Sequence, residues 1–89
     1  MLNLKQTEEK LISKYPKMKI IGWADIPKKN LIVFIGAEND DEYKALKTND
    51  IFRMPMDPYY SVNKKTGEVL NFLPEPYGMT FSDIKFNRR

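Results

Sequence analysis

The run Leu31-Ile32-Val33-Phe34-Ile35-Gly36 constrains this chain more than any other stretch. Five apolar residues in a row, with no polar alternation, read as a strand covered on both faces. Such a strand sits in the middle of a sheet. Just before it, residues 17–26 read as a second strand. Met18, Ile20, Gly22, Ala24 and Ile26 fall on one face, and Lys19, Ile21, Trp23 and Asp25 on the other. Pro27-Lys28-Lys29-Asn30 is turn material, and so short a connection makes the two strands an antiparallel hairpin.

A second hairpin follows the same logic. Tyr59-Tyr60-Ser61-Val62-Asn63 and Glu68-Val69-Leu70-Asn71-Phe72 flank Lys64-Lys65-Thr66-Gly67, with Gly67 placed where a bulged turn needs positive φ. Tyr59 and Tyr60 point to opposite faces, one to the core and one to the surface. Residues 4–15 read as an amphipathic helix with Leu4, Leu11, Ile12 and Tyr15 on one side. Thr7 is the expected cap of a helix starting at Glu8, with Glu8 and Glu9 in its first turn, and Pro16 ends it. Residues 37–50 are polar. Either Asp40 or Asp41 caps one or two helical turns through Leu46, or the stretch is a plain surface loop. Pro55 restricts residues 51–56 to an edge strand. Pro74 and Pro76 break the sheet. Residues 79–86 read as a last strand or as a short helix capped by Ser82, with a short helix or coil packed through Phe81, Ile84 and Phe86 the favoured reading. The expectation is an α+β fold: one domain over residues 1–89, with a single antiparallel sheet of about four strands and the N-terminal helix packed on one face.

Composition narrows the chemistry. The chain of 89 residues has no Cys and no His. That excludes disulfides, thiolate metal sites, cysteine nucleophiles and the usual neutral-pH general base. The core must rest on five Phe, five Tyr and one Trp. Trp23 and the scattered methionines read as core or half-core residues. The four glycines are isolated, so no phosphate-binding loop is present. Asp25 and Asp57 are the nearest thing to a carboxylate pair, and nothing in their spacing supports one. No catalytic residue, metal site or cofactor is expected, and the chain reads as a non-enzyme. No apolar run nears the ~20 residues of a membrane span, and no signal-like segment follows Met1-Leu2-Asn3-Leu4-Lys5, so the expected location is the cytoplasm.

Charge supplies the candidate surfaces. The formal net charge is +3, but it is uneven. Residues 36–50 hold five acids and two lysines, a local balance of −3, leaving +6 for the remainder. The acidic set Glu38, Asp40, Asp41 and Glu42 lacks the spacing of a calcium loop. It reads as a solvated face or as a surface steering a cationic protein partner. The basic set is Lys28, Lys29, Lys64, Lys65, Arg88 and Arg89. If the two lysine turns share one end of the sheet, they and the C-terminal arginines can touch a phosphate backbone, with Trp23, Phe52 or Tyr59 as stacking platforms.

The segment Asp57-Pro58-Tyr59-Tyr60-Ser61-Val62-Asn63-Lys64-Lys65-Thr66-Gly67-Glu68-Val69 resembles a hairpin of small bacterial polymorphic-toxin immunity proteins. The N-terminal helix, the two early strands and Pro74 after the hairpin are similar as well. The resemblance implies an inhibitor of a cognate toxin or nuclease that uses a surface rather than a pocket, and it carries no binding residues with it. The first expectation is therefore a protein–protein interaction module, an immunity or inhibitor protein binding through residues 37–50. The alternative is a small basic nucleic-acid-binding protein of phage or mobile-element origin.

Overall fold

A computed structural model of the chain describes residues 1–50, 52, 58–71 and 85–88. Strand β1 (Lys19–Ile26) leads through a single 3-10 turn at Pro27–Lys29 into β2 (Leu31–Ala37). After helix α2 (Asp40–Thr48) come β3 (Tyr59–Asn63), β4 (Val69–Leu70) and β5 (Asn87–Arg88). Helix α1 (Leu4–Lys14) precedes them all. The strands form one sheet in the order β4-β3-β2-β1-β5, and each neighbouring pair is antiparallel. The fold class is therefore α+β, as the sequence implies. β2 is the middle strand, and all seven of its residues are buried.

Alternation along β2 builds two cores. Ile32 and Phe34 face α1, where they pack with Tyr60, Val62, Val69 and Leu11. Leu31 and Val33 face the other way and pack with Ala24, Ile26, Tyr59 and Phe86. Val33 and Phe34, on opposite faces of β2, are each 0 % exposed, which accounts for the absence of polar alternation in this stretch. Tyr15 meets Tyr60 edge-on at 5.2 Å between centroids, fixing the end of α1 over β3. Both tyrosines of the pair 59–60 pack: Tyr59 is half-buried against the second core, with Phe86 at 5.9 Å, and is not a surface residue.

Two local expectations are corrected. The cap of α1 is Asn3, whose side chain accepts from Gln6 N while Gln6 returns a bond to Asn3 N. Thr7 lies inside the helix, wholly buried, with its hydroxyl on the Leu4 carbonyl at 2.8 Å. Leu4 packs on the first core, so starting the helix early buries apolar surface that a start at Glu8 leaves out. The first turn then contains no acid.

The second correction is in β1. A register shift between Ile20 and Gly22 resets the alternation there. Ile20 joins Trp23 on the α1 side, while Gly22, Ala24 and Ile26 face the second core. The sheet has the expected breadth of about four main strands, and Asn87 and Arg88 add a short fifth one beside Trp23 and Gly22. Phe86 packs on the core as expected, and residues 85 and 86 are coil, one of the states expected for this stretch. The expectations for residues 53–56, Asp57, Pro74, Pro76, Phe81, Ser82, Ile84 and Arg89 lie outside the described residues.

Gly36 is fixed by close approach. A Cβ there would stand 2.7 Å from Met18 Sδ and 2.9 Å from the Lys19 carbonyl oxygen. Gly67 takes φ +76°, as the turn between β3 and β4 demands.

Candidate functional site

The strands run alternately up and down, so the β1–β2 and β3–β4 turns fall at the same end of the sheet. They are joined directly, since Lys64 N donates to the Asn30 carbonyl at 2.7 Å. Asn30 holds a left-handed conformation (φ 54°, ψ 40°) that an Asn side chain tolerates better than most. The N-terminal segment closes on the same place, with Leu2 N donating to the Lys64 carbonyl at 2.8 Å. The aliphatic stem of Lys10 passes Gly67, its Cε 3.3 Å from where a Cβ of that residue would stand.

This end gathers lysines of unequal availability. Lys64 is spent locally: its ammonium meets Asp25 at 2.7 Å and its side chain is only 12 % exposed. Lys29 is half-buried and makes an interaction within the chain. Lys28, Lys65 and Lys10 are exposed. Glu68 is exposed at the same turn and opposes them. The turn amides are occupied, since Asn63 Oδ1 accepts from Lys65 N at 2.8 Å and from Thr66 N at 3.1 Å. At that turn an anion is met by side chains. Arg88 is not part of the cluster. It pairs with Gly22, four residues back from the end of β1, which is about 13 Å along the strand. Asp25 pairs with Lys64, and Asp57 lies outside the described residues.

The acidic set lies at the opposite end, past Ala37. Its residues have local work. Asn39, rather than Asp40 or Asp41, caps α2 by accepting from Glu42 N at 2.8 Å. Asp40, Asp41 and Glu42 occupy the first turn, where negative charge suits the helix dipole. Glu42 reaches back to Glu38 N at 3.4 Å. Asp40 pairs with Lys19 at 2.6 Å in an exposed bridge. The Lys19 hydrogen bond and charge hold the Asp40 carboxyl below the usual carboxylate range. The same hydrogen bond, with the Asp40 charge, raises Lys19. The Tyr43 ring draws two cations, Lys19 at 5.4 Å and Lys47 at 4.9 Å from its centroid. Glu38 and Asp41 are exposed and form no ion pair with a described residue. An open groove between the α1–β1 link and α2 is lined by Pro16, Lys17, Met18, Lys19, Asn39 and Asp40.

The structure thus joins four of the six basic residues proposed from sequence at one end, leaves Arg88 on an edge strand, and keeps Arg89 outside the described residues. The four acids lie together at the other end. Trp23 and Tyr59 pack on the cores, while Phe52 is 93 % exposed. Lys10, Lys19 and Tyr43 were missed, because their placement depends on how helices meet strands. The cap at Asn39 had a signal: an Asx residue directly before three acids. Among the described residues no helix is long and apolar enough to cross a membrane, and no group of three acids or other ligands converges on a metal position.

These features define an α+β domain with an acidic cluster at one end of its sheet and a lysine cluster at the other. No family model, curated protein or solved structure matches the chain.

Proposed function

We propose that this chain is a non-enzymatic protein-binding module that works through an exposed surface, in the manner of an immunity or inhibitor protein. The observation that carries the reading is the placement of α2. Of its nine residues only Ala45 is fully buried, so the helix is presented rather than absorbed. The carboxylates of Glu38 and Asp41 stand exposed at its start and form no ion pair with a described residue. A protein with a basic binding face, such as a toxin or a nuclease, fits that charge. The hairpin resemblance over residues 57–69 supports the same class of partner.

The local roles of Asp40 and Glu42 dictate the test. Neutralising all four acids would disturb the helix start as well as the surface. Glu38→Gln with Asp41→Asn removes charge and spares the Asn39 cap and the Lys19 pair. A photo-crosslinking residue is placed at position 38 or 41, and separately at 28 or 65, in cells of the source organism. The reading expects a protein adduct from the first pair and none from the second. The captured partner is then expected to bind the neutralised variant about tenfold more weakly at low salt, mainly through a slower on-rate. Adducts from positions 28 and 65 alone, or an unchanged on-rate, overturn it.

A further inference from the structure

We propose that the opposite end of the sheet is a second surface that contacts the phosphate backbone of a nucleic-acid duplex, through Lys28, Lys65 and Lys10. The proposal stands apart from the protein-binding reading and uses none of its residues. Three separate segments of chain deliver these lysines: the β1–β2 turn, the β3–β4 turn and α1. The bond from Lys64 N to the Asn30 carbonyl holds the two turns together. The turn centres are two strand spacings apart, about 10 Å. A duplex presents one charge per ~1.7 Å of axis, so that span meets several phosphates at once.

The disposition of nearby acids and donors favours a diffuse polyanion over a small bound anion. Asp25 is committed to Lys64, leaving Glu68 as the exposed carboxylate at the β3–β4 turn. At the β3–β4 turn the Lys65 and Thr66 amides are taken by Asn63, so they are not available to cradle a single phosphate. Flexible ammonium groups spread along an edge instead match a repeating charge. Asn63, Asn30 and the Lys64–Asp25 pair are positioning residues, since they fix the turns without offering charge outward.

Anisotropy of a labelled duplex of arbitrary sequence, as DNA and as RNA, read across a salt series, tests the idea. Three phosphate contacts predict a slope of log K against log salt of about −2.7, or about a 40-fold loss between 50 and 200 mM. Lys28→Gln with Lys65→Gln should bring the slope to about −0.9. Lys44→Gln with Lys47→Gln, at the other end, should leave it unchanged. Circular dichroism of each variant confirms the fold, since all four lysines are exposed. The proposal is overturned by absence of binding to either duplex at low salt, or by equal loss of slope in both double variants. Competition by polyglutamate as effective as by duplex at equal charge would also overturn it, because the surface would then be a site for acidic peptides.

Discussion

Single residues set the boundaries of this fold more than its general pattern does. Thr7 and Asn3 are both acceptable caps by residue type. The choice falls to Asn3 because Leu4 then reaches the core and Gln6 can close the reciprocal bond. Lys19 and Asp40 show the same dependence on placement. Nothing in their sequence separation of about twenty residues marks a pair, yet β1 and the start of α2 bring them to 2.6 Å. Asp40 is depressed, so its stabilising contribution is present above the ordinary carboxylate range and is lost as pH falls through the lowered value. Lys19 is raised, so its contribution is present below the ordinary lysine range and is lost as pH rises through the raised value. A carboxyl-carbon NMR titration of Asp40 is expected to show its midpoint moving upward in the Lys19→Gln variant. An unmoved midpoint would mean that the bridge does not form in solution.

At the scale of elements, what was legible followed from periodicity. Residues 31–35 announce a central strand because nothing polar interrupts them, and residues 59–67 announce a hairpin because Gly67 punctuates an alternating run. α2 was only half legible. Its acids suit a helix start, but with so little apolar surface a loop is nearly as good a reading, and in the structure Ala45 is the residue it buries. The register shift at Ile21 and the strand Asn87–Arg88 had no signal. A bulge does not change residue spacing, and Asn-Arg has no β-propensity of its own; the free edge of β1 makes it a strand. Gly22 is what lets that strand come close. A Cβ at this position would stand 3.0 Å from the Asn87 carbonyl oxygen. Gly22→Val is therefore expected to displace β5 while sparing the centre. Amide exchange at residues 87 and 88 should accelerate, and exchange at 32–35 should stay slow. Unchanged protection at 87 and 88 would show that β5 is held by something other than this close approach.

Charge is arranged at the scale of the whole molecule, and that arrangement could not be read from composition. A net +3 hides an acidic cluster at one end and a lysine cluster at the other. Sequence reasoning found both residue sets; only topology shows that they are separated by the length of β2. Six residue steps along that strand are about 20 Å. This distance decides whether the two ends act independently. At 0.15 M salt the screening length is about 8 Å, so Glu38 and Asp41 should not influence a polyanion held at the lysine turns. At 0.01 M it is about 30 Å, longer than the strand, and the acids should then repel the same polyanion. Glu38→Gln with Asp41→Asn is thus expected to raise duplex affinity about threefold at the lower salt and to leave it unchanged at the higher. Binding isotherms of wild type and variant at the two salt concentrations measure this. An equal gain at both would place the acids in direct contact with the duplex, and the two surfaces would then have to be treated as one.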